Sequence, residues 1–182
     1  MKKLTIFALI LALVFSVSAL AEPQSEPIEA VQIDWDETAE QTFLNAGFSG
    51  TWYTMDNMGF KLLIPDEYQE QELTDEDRAN ECVLFFVNPE NGGRVQIYDS
   101  TIEDYDDLES LANGLREQYP ERVLQYAMIN GAAAVINADE GYDMMNVIFD
   151  LGNHRFAQVM FSPVSTANQL LTLCMASIQF NI

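Results

Sequence analysis

The sequence predicts an α+β domain with a central, mainly antiparallel β-sheet that is built from hairpins and flanked by helices. The first observation is that four pairs of β-rich segments are each joined by a short run of turn residues. The second is that apolar residues recur at helical spacing near the start, in the middle and at the end of the chain. Hairpins pair antiparallel strands and amphipathic helices need an apolar surface to cover, so we expect the helices to lie on the sheet.

The N-terminal region has the pattern of a secretory signal peptide. Lys2 and Lys3 precede a run over residues 4–15 that is apolar except for Thr5, and a small-residue cleavage pattern ends at Ala21. The apolar run is short for a permanent membrane anchor. We therefore expect residues 1–21 to be a cleavable signal peptide and the protein to be exported.

Composition predicts an acidic, folded domain after this region. Residues 22–33 are expected to be a flexible acidic leader, and residues 34–182 a single α+β domain. The chain has a formal net charge of −21, and removal of two lysines with the signal peptide leaves 6 − 29 = −23. Such a charge repels nucleic acid and anionic membranes, while 48% hydrophobic residues supply a core. We expect a soluble monomer that binds neither nucleic acid nor, after cleavage, the membrane.

The domain is expected to begin with a short helix and a hairpin. Asp34 and Glu37 have the spacing of a capping box, and Gly47 ends the apolar periodicity that follows them. Strand-like residues then occupy positions 51–55 and 60–64, on either side of a turn.

The next segments predict a loop and a second hairpin. Residues 66–80 are the most acidic part of the chain and are expected to form a solvated loop with at most one helical turn. The β-rich segments 82–87 and 94–98 are joined by a dense cluster of turn residues.

The last third of the chain predicts two more hairpins. Segments 123–129 and 132–138 flank Asn130 and the glycine after it, the dipeptide that most readily adopts a type I′ turn. Segments 145–151 and 154–161 flank a Gly-Asn turn and alternate apolar with polar residues.

Two further helices are expected to cover the sheet. One begins after Asp104, which can cap it, and ends at Pro120. The other is a continuous apolar stripe over residues 167–178.

Four segments of the chain are similar to recurring segments of a known family. They are residues 59–65, which end in a proline, residues 129–133 around the Asn-Gly turn, and residues 161–163 and 176–178 on either side of the final helix. Over residues 50–182 this order of elements resembles the PsbP-like fold, a family that includes the extrinsic photosystem II subunit, the Ran-binding Mog protein and many exported bacterial proteins. The family often has a tryptophan where this chain has Tyr68. The resemblance implies an antiparallel sheet between helices, as an α/β/α sandwich, and a protein that binds other proteins rather than catalysing a reaction.

The sequence contains no recognisable catalytic or cofactor-binding motif. His154 is the single histidine and follows a hairpin turn, where a half-exposed structural role is expected. Nucleophile-elbow, zinc, dithiol and phosphate-binding motifs are missing from the sequence, so we expect no catalytic residues and no cofactor. Carboxylates are abundant, which leaves a carboxylate-dependent extracellular hydrolase as an alternative.

One hairpin turn superficially copies a calcium loop. Asn137, Asp139 and Asp143 alternate as the oxygen ligands of such a loop do, but an EF-hand requires glutamate where this chain has Ile148. These three residues are calcium candidates for a second alternative, a calcium-stabilised adhesion or scaffolding module. A polar hairpin loop is the simpler interpretation.

Aromatic residues near the first hairpin are candidates for a binding surface. Trp35, Trp52, Tyr53 and Tyr68 are close in sequence and could line a groove for a peptide or glycan, although core packing also explains large aromatics at this spacing. The leading hypothesis is an exported, non-enzymatic domain that binds an extracellular protein or other ligand through a sheet face or a hairpin edge.

The two cysteines, Cys82 and Cys174, leave two possibilities open. Both fall in apolar segments, which favours buried thiols, but export would permit a single disulfide.

Overall fold

Residues 30–180 fold into two β-sheets with four helices between and around them. The computed structural model describes residues 30–180, without the side chains of residues 165–169. In chain order the elements are β1 (Val31–Ile33), α1 (Glu37–Asn45), β2 (Gly50–Met55), β3 (Phe60–Pro65), β4 (Gln69–Glu70), α2 (Asp75–Ala79), β5 (Cys82–Val87), β6 (Arg94–Thr101), α3 (Leu108–Gln118), β7 (Val123–Ile129), β8 (Ala132–Asp139), β9 (Met144–Gly152), β10 (Arg155–Ser162), α4 (Val164–Ala176) and β11 (Gln179–Phe180).

The predicted α+β class with a mainly antiparallel sheet is confirmed. The large sheet has eight strands in the order β1-β7-β8-β9-β10-β6-β5-β4. Its strand pairs are antiparallel except for β1 and β7, which are parallel. The hairpins β5–β6, β7–β8 and β9–β10 lie where the turn residues predict them.

The first hairpin belongs to a different sheet. β2 and β3 form a three-stranded sheet with β11, in the order β11-β3-β2. The main core lies between the two sheets and is completed by α4, with Phe60, Leu62, Phe86, Phe149 and Phe161 among its fully buried side chains. Because the small sheet buries one face against the large sheet, it covers part of the surface that the sequence assigns to helices.

Helices lie on both outer sides of this core. α3 packs on the far face of the large sheet, where Leu111 contacts a small cluster with Ile148 and Phe156. α1 packs on the far face of the small sheet, where Phe43 joins Leu63 and Leu173 in another cluster. The protein is therefore layered, with each sheet apolar on both faces where a helix covers it.

The predicted helix caps are wrong by two or three residues. Asp36, not Asp34, caps α1 and accepts a hydrogen bond of 2.8 Å from the Ala39 backbone N–H. Asp107, not Asp104, caps α3 through the Ser110 backbone N–H, also at 2.8 Å. Several aspartates precede each helix, and packing against the sheets decides which of them starts it.

The predicted boundary of the leader is also corrected. Residues 31–33, assigned to the leader from composition, form β1, and Ile33 is 1% exposed. Three residues carry too little periodicity to predict a strand, and the parallel partner β7 is remote in sequence. The predicted signal peptide, residues 1–21, and the leader up to residue 29 lie outside the described residues.

The final helix begins and ends earlier than its apolar stripe predicts. α4 spans Val164–Ala176, and the backbone N–H of Ser177 closes its last turn. Residues 179 and 180 then form β11 against β3. Within residues 30–180, no helix is both long enough and apolar enough to cross a membrane.

Candidate functional site

The strand β2 forms one edge of the small sheet. It pairs with β3 in unbroken register from Gly50 opposite Pro65 to Met55 opposite Phe60. The strand order places β3 on one side of β2 and no described strand on the other. All six residues, Gly50–Met55, are uncharged, and Thr51 and Thr54 are exposed.

The hydrogen-bonding pattern identifies which backbone groups face outward. The backbone N–H of Asp66 donates to the Ser49 carbonyl at 3.0 Å, just beyond the end of the paired strands. Hydrogen-bonded and non-hydrogen-bonded pairs alternate along an antiparallel ladder. The backbone groups of Thr51, Tyr53 and Met55 therefore bond to β3. The N–H and C=O groups of Trp52 and Thr54, which lie between them, face outward. On the opposite edge of β3, the Leu63 N–H donates to Ser177 Oγ at 2.8 Å, as this alternation requires.

The other sheet edges in the described part of the chain are short. β1 has three residues, and β4 and β11 have two each. Natural proteins protect exposed edges with short strands, charges, prolines or bulges. β2 has six residues, a regular register and neither charge nor proline, so it is open to another strand.

Two of the four candidate aromatics come together beside this edge. The rings of Trp35 and Trp52 meet edge to face, with centroids 6.4 Å apart, and Trp35 also contacts Phe43 at 6.2 Å. Lys61 Nζ lies 4.6 Å from the centroid of the Trp52 ring. Trp52 is half-buried, so its ring forms part of the surface beside the outward-facing backbone.

The other two aromatics lie on the core side of the small sheet. Tyr53 packs against Phe86 with ring centroids 4.7 Å apart. Tyr68 is 6% exposed and belongs to the main core, and its hydroxyl has no partner among the described residues. Burial, with smaller contributions from Cys174 and Glu67, raises the pKa of Tyr68 well above its usual range. Tyr53 and Tyr68 therefore pack as core residues, and only the two tryptophans share a surface.

An exposed aspartate lies at each end of β2. At the Gly50 end, the exposed Asp66 accepts hydrogen bonds from Ser49 Oγ at 2.6 Å and Thr51 Oγ1 at 3.5 Å. Glu67 follows directly, and its Oε2 is buried without a partner among the described residues. At the Met55 end, Asp56 is exposed, and Lys61, which lies opposite Thr54 in register, directs its ammonium group over the Trp52 ring.

The calcium candidates lie at the end of β8 and in the turn before β9. Asp139 pairs with Arg122 through Oδ2 at 2.8 Å, and its Oδ1 accepts from the Tyr142 N–H at 3.1 Å. Asn137 is buried in β8, opposite Asn146 of β9. The backbone carbonyl of Asp143 accepts from the Val164 N–H at 3.0 Å, which ties this loop to α4. Within residues 30–180, no group of three or more histidine, cysteine or acidic side chains is placed to hold a metal ion.

His154 and the cysteines have structural surroundings. His154 Nδ1 lies 3.0 Å from the Tyr105 carbonyl and 3.6 Å from Asp106 Oδ1, and its side chain is 37% exposed. Cys82 and Cys174 are both buried and free, which closes the possibility of a disulfide left open by the sequence. Cys174 Sγ donates to the Leu63 carbonyl at 2.9 Å, and burial raises the pKa of both thiols.

The carboxyl groups with displaced pKa values also act structurally. Hydrogen bonds from Thr74 lower the pKa of Asp77, and hydrogen bonds from Ser110 lower the pKa of Asp107. Both aspartates belong to capping boxes, at the starts of α2 and α3. A general acid needs the opposite direction of pKa shift, so neither aspartate is suited to that role.

Sequence reasoning missed the edge as a site. The signal that could have found it is the uncharged run of residues 50–55 in a chain with 20% charged residues. The run predicts a strand, but its place at an edge depends on the order of strands, which hairpin signals do not give.

Comparison with known proteins agrees with the fold. No family model and no curated protein matches the chain. Its structure is similar to that of cyanobacterial PsbP (CyanoP) from Synechocystis, with 10% identity and a TM-score of 0.47 over 72% of this chain and 92% of that chain. It is also similar to a protein from Bacteroides thetaiotaomicron, with 12% identity and a TM-score of 0.43 over 73% of this chain and 49% of that chain. A third similar structure is the Ran-binding protein Mog1p of Saccharomyces cerevisiae, with 11% identity and a TM-score of 0.42 over 73% of this chain and 96% of that chain. These similarities concern the fold and accord with the PsbP-like arrangement that the sequence resembles.

Proposed function

We propose that this protein is an exported, non-enzymatic domain that binds another protein by adding an extended segment of the partner to β2. The observation that carries the proposal is the outward-facing backbone of Trp52 and Thr54 on a six-residue, uncharged edge strand. An added strand would receive main-chain hydrogen bonds from both residues. Side chains of the partner would alternate between the Trp52 side and the Tyr53 side of the sheet.

A partner protein fits this edge better than a second copy of the chain. Edge-to-edge pairing of two copies would bring together two chains that each carry a formal charge of 6 − 29 = −23 after cleavage. Like charge on that scale opposes association. We therefore propose a foreign segment as the occupant and self-association as the competing outcome of the test.

Export is the part of the proposal that rests on the N-terminal pattern. Lys2, Lys3, the apolar run and Ala21 support cleavage and release from the cytoplasm. The full chain would be expressed in a bacterium, and the protein outside the cytoplasm would be identified by mass spectrometry. A mature N-terminus at Glu22 is expected, and retention of intact residues 1–21 in the cytoplasm would contradict export.

Binding at β2 is testable with synthetic peptides. Three peptides of alternating valine and threonine would end in two lysines, two glutamines or two glutamates, and would be added at millimolar concentration to isotopically labelled protein. At least one peptide is expected to shift the NMR signals of the Trp52 and Thr54 amides and to slow their hydrogen exchange. The Tyr53 amide, already bonded to β3, should change less.

Proline substitution provides the matched control for this experiment. Thr54→Pro removes an outward N–H without removing a hydrogen bond to β3, whereas Thr54→Val keeps the N–H. Thr54→Pro is expected to abolish peptide binding with a preserved fold, and Thr54→Val to retain it. The proposal is overturned if no peptide affects these amides, or if sedimentation shows a dimer of the protein that Thr54→Pro dissociates.

A further inference from the structure

We infer that the segment added to β2 places an aromatic or large aliphatic side chain directly beside Trp52, and that this tryptophan selects the partner. The inference rests on the proposed function and deepens it, because the same backbone edge holds the segment. Main-chain hydrogen bonds accept almost any sequence, so the side chains along the edge must supply the selectivity.

The first argument is the choice of side chains that β2 offers on the face towards α1. Successive side chains of a strand point to opposite faces of the sheet, so Gly50, Trp52 and Thr54 share this face. Tyr53 lies on the opposite face, where it packs against Phe86. Glycine has no side chain and threonine is small and polar. Of the three residues, Trp52 alone offers a broad apolar surface to a neighbouring strand.

The second argument is that Trp52 brings an apolar cluster to the edge of the sheet. The buried members of this cluster are Phe43 of α1, Leu63 of β3 and Leu173 of α4, and Trp52 packs against them. Leu63 is also the register partner of Trp52 and is 6% exposed. Trp52 itself remains half-buried. An apolar side chain on an added strand would extend the cluster by one strand and remove more apolar surface from water.

The third argument is that neighbouring side chains already hold the Trp52 ring. The Trp35 ring meets it edge to face, and Lys61 Nζ lies 4.6 Å from its centroid. A ring that is held before binding loses little side-chain freedom when a partner contacts it. A residue paired with Trp52 on an added strand would have its Cβ about 5 Å from the Trp52 Cβ, which favours contact between aromatic or long aliphatic side chains.

Guest peptides test this inference. Each peptide would consist of threonines, end in two glutamines and carry one central guest residue, which is phenylalanine, leucine or threonine. Titrations would be followed through the amides of Trp52 and Thr54, so that binding elsewhere is not counted. The phenylalanine peptide is expected to bind tightest and the threonine peptide most weakly, with about threefold to tenfold between them. Intermolecular NOEs are expected between the phenylalanine ring and the Trp52 indole.

Substitutions at two neighbouring positions locate the preference. Trp52→Val is expected to remove most of the advantage of the phenylalanine peptide, whereas Trp52→Phe, which keeps an aromatic ring, should retain much of it. Tyr53→Val is the matched truncation on the opposite face of β2 and should leave the advantage in place. The amide spectrum of each variant would show whether its fold is preserved. If a variant does not fold, the NOEs of the wild type decide the position of the guest residue.

The outcomes separate this inference from the proposed function. If the guest peptides and the valine-threonine peptides bind β2 with no preference for phenylalanine over threonine, the inference is wrong and strand addition stands. The inference is also wrong if the phenylalanine ring gives NOEs to Tyr53 instead of Trp52, or if a folded Trp52→Val variant keeps the full preference. If no peptide affects the Trp52 and Thr54 amides, both proposals fall together.

Discussion

Asn130 donates a hydrogen bond of 2.7 Å from its side-chain Nδ2 to the backbone carbonyl of Ile178, 48 residues later in the chain. The same Nδ2 donates to the Ala176 carbonyl at 2.8 Å, and Oδ1 accepts from the backbone N–H of Trp35. Asn130 is also the first residue of the predicted Asn-Gly turn, with φ of 49°. One turn residue therefore joins the start of α1, the end of α4 and the tip of the β7–β8 hairpin.

Replacing Asn130 by glycine is expected to destabilise the protein strongly for a turn position. Asn130→Gly tolerates the positive φ but removes three hydrogen bonds, two of them to carbonyls of the buried residues Ala176 and Ile178. We expect the free energy of unfolding in urea to fall by about 2–4 kcal/mol. Asn153→Gly is the matched control, because Asn153 also has positive φ in a hairpin turn, and its side chain makes no such bonds to described residues. Equal effects of the two substitutions would contradict the structural role of Asn130.

Replacing a glycine by alanine usually stabilises a helix, but at Gly114 this change is expected to destabilise the protein. A Cβ at Gly114 would come within 2.5 Å of Cε1 and Cζ of the Tyr105 ring. Gly114→Ala should therefore lower the free energy of unfolding by about 1–3 kcal/mol despite the better helix propensity of alanine. In a Tyr105→Ala background the same change should become neutral or stabilising by up to about 1 kcal/mol. A double-mutant cycle in urea measures this reversal of sign, and additive effects would show that the two residues do not clash.

The ion pair of Arg122 and Asp139 is expected to contribute to stability. The two side chains are only 16% and 10% exposed, and the Arg122 guanidinium also lies 3.8 Å from the centroid of the Tyr119 ring. Arg122→Gln leaves the Asp139 carboxylate without its charged partner, so we expect a loss of about 2–3 kcal/mol in the free energy of unfolding. A loss below about 0.5 kcal/mol, typical of exposed pairs, would show that solvent screens this pair.

The same contacts make a prediction about calcium. Both carboxylate oxygens of Asp139 already have partners, Arg122 and the Tyr142 N–H. Millimolar calcium is therefore expected to change the melting temperature no more than sodium chloride of equal ionic strength. A clearly larger rise with calcium would restore the calcium-stabilised alternative.

Stability at high pH is expected to depend on Tyr98. Burial, with smaller contributions from Cys82 and Asp77, raises the pKa of Tyr98 from 10.0 to about 12. The folded protein therefore keeps the phenol protonated where the unfolded chain releases the proton. The stabilisation is complete below pH 10 and is lost as the pH rises from about 10 towards 12, by about 1 kcal/mol at pH 11. Urea unfolding at pH 8 and pH 11 should show a smaller loss for Tyr98→Phe than for the wild type, and equal losses would contradict the shift.

The hairpins illustrate what local sequence predicts well. The Asn-Gly turn after Ile129 and the turn residues between Val87 and Arg94 lie between strands whose limits agree with the prediction to within three residues. Positive φ and period-two alternation are local properties, so neighbouring residues are sufficient to specify them. The helix caps were less predictable, because Asp34, Asp36, Asp104 and Asp107 are chemically equivalent and packing chooses among them.

The sequence by itself determined the class of the fold, the hairpins, the high negative charge and the N-terminal pattern that supports export. Tertiary structure decided which hairpin joins which sheet, and so placed the uncharged strand β2 at an open edge with Asp66 and Glu67 at one end. It also packed Tyr53 and Tyr68 against the main core, whereas Trp35 and Trp52 pack against each other. The Asp139 carboxylate forms an ion pair with Arg122. The physical reason is that strand order and side-chain pairing depend on contacts between residues far apart in the chain, whereas turn and helix signals are local.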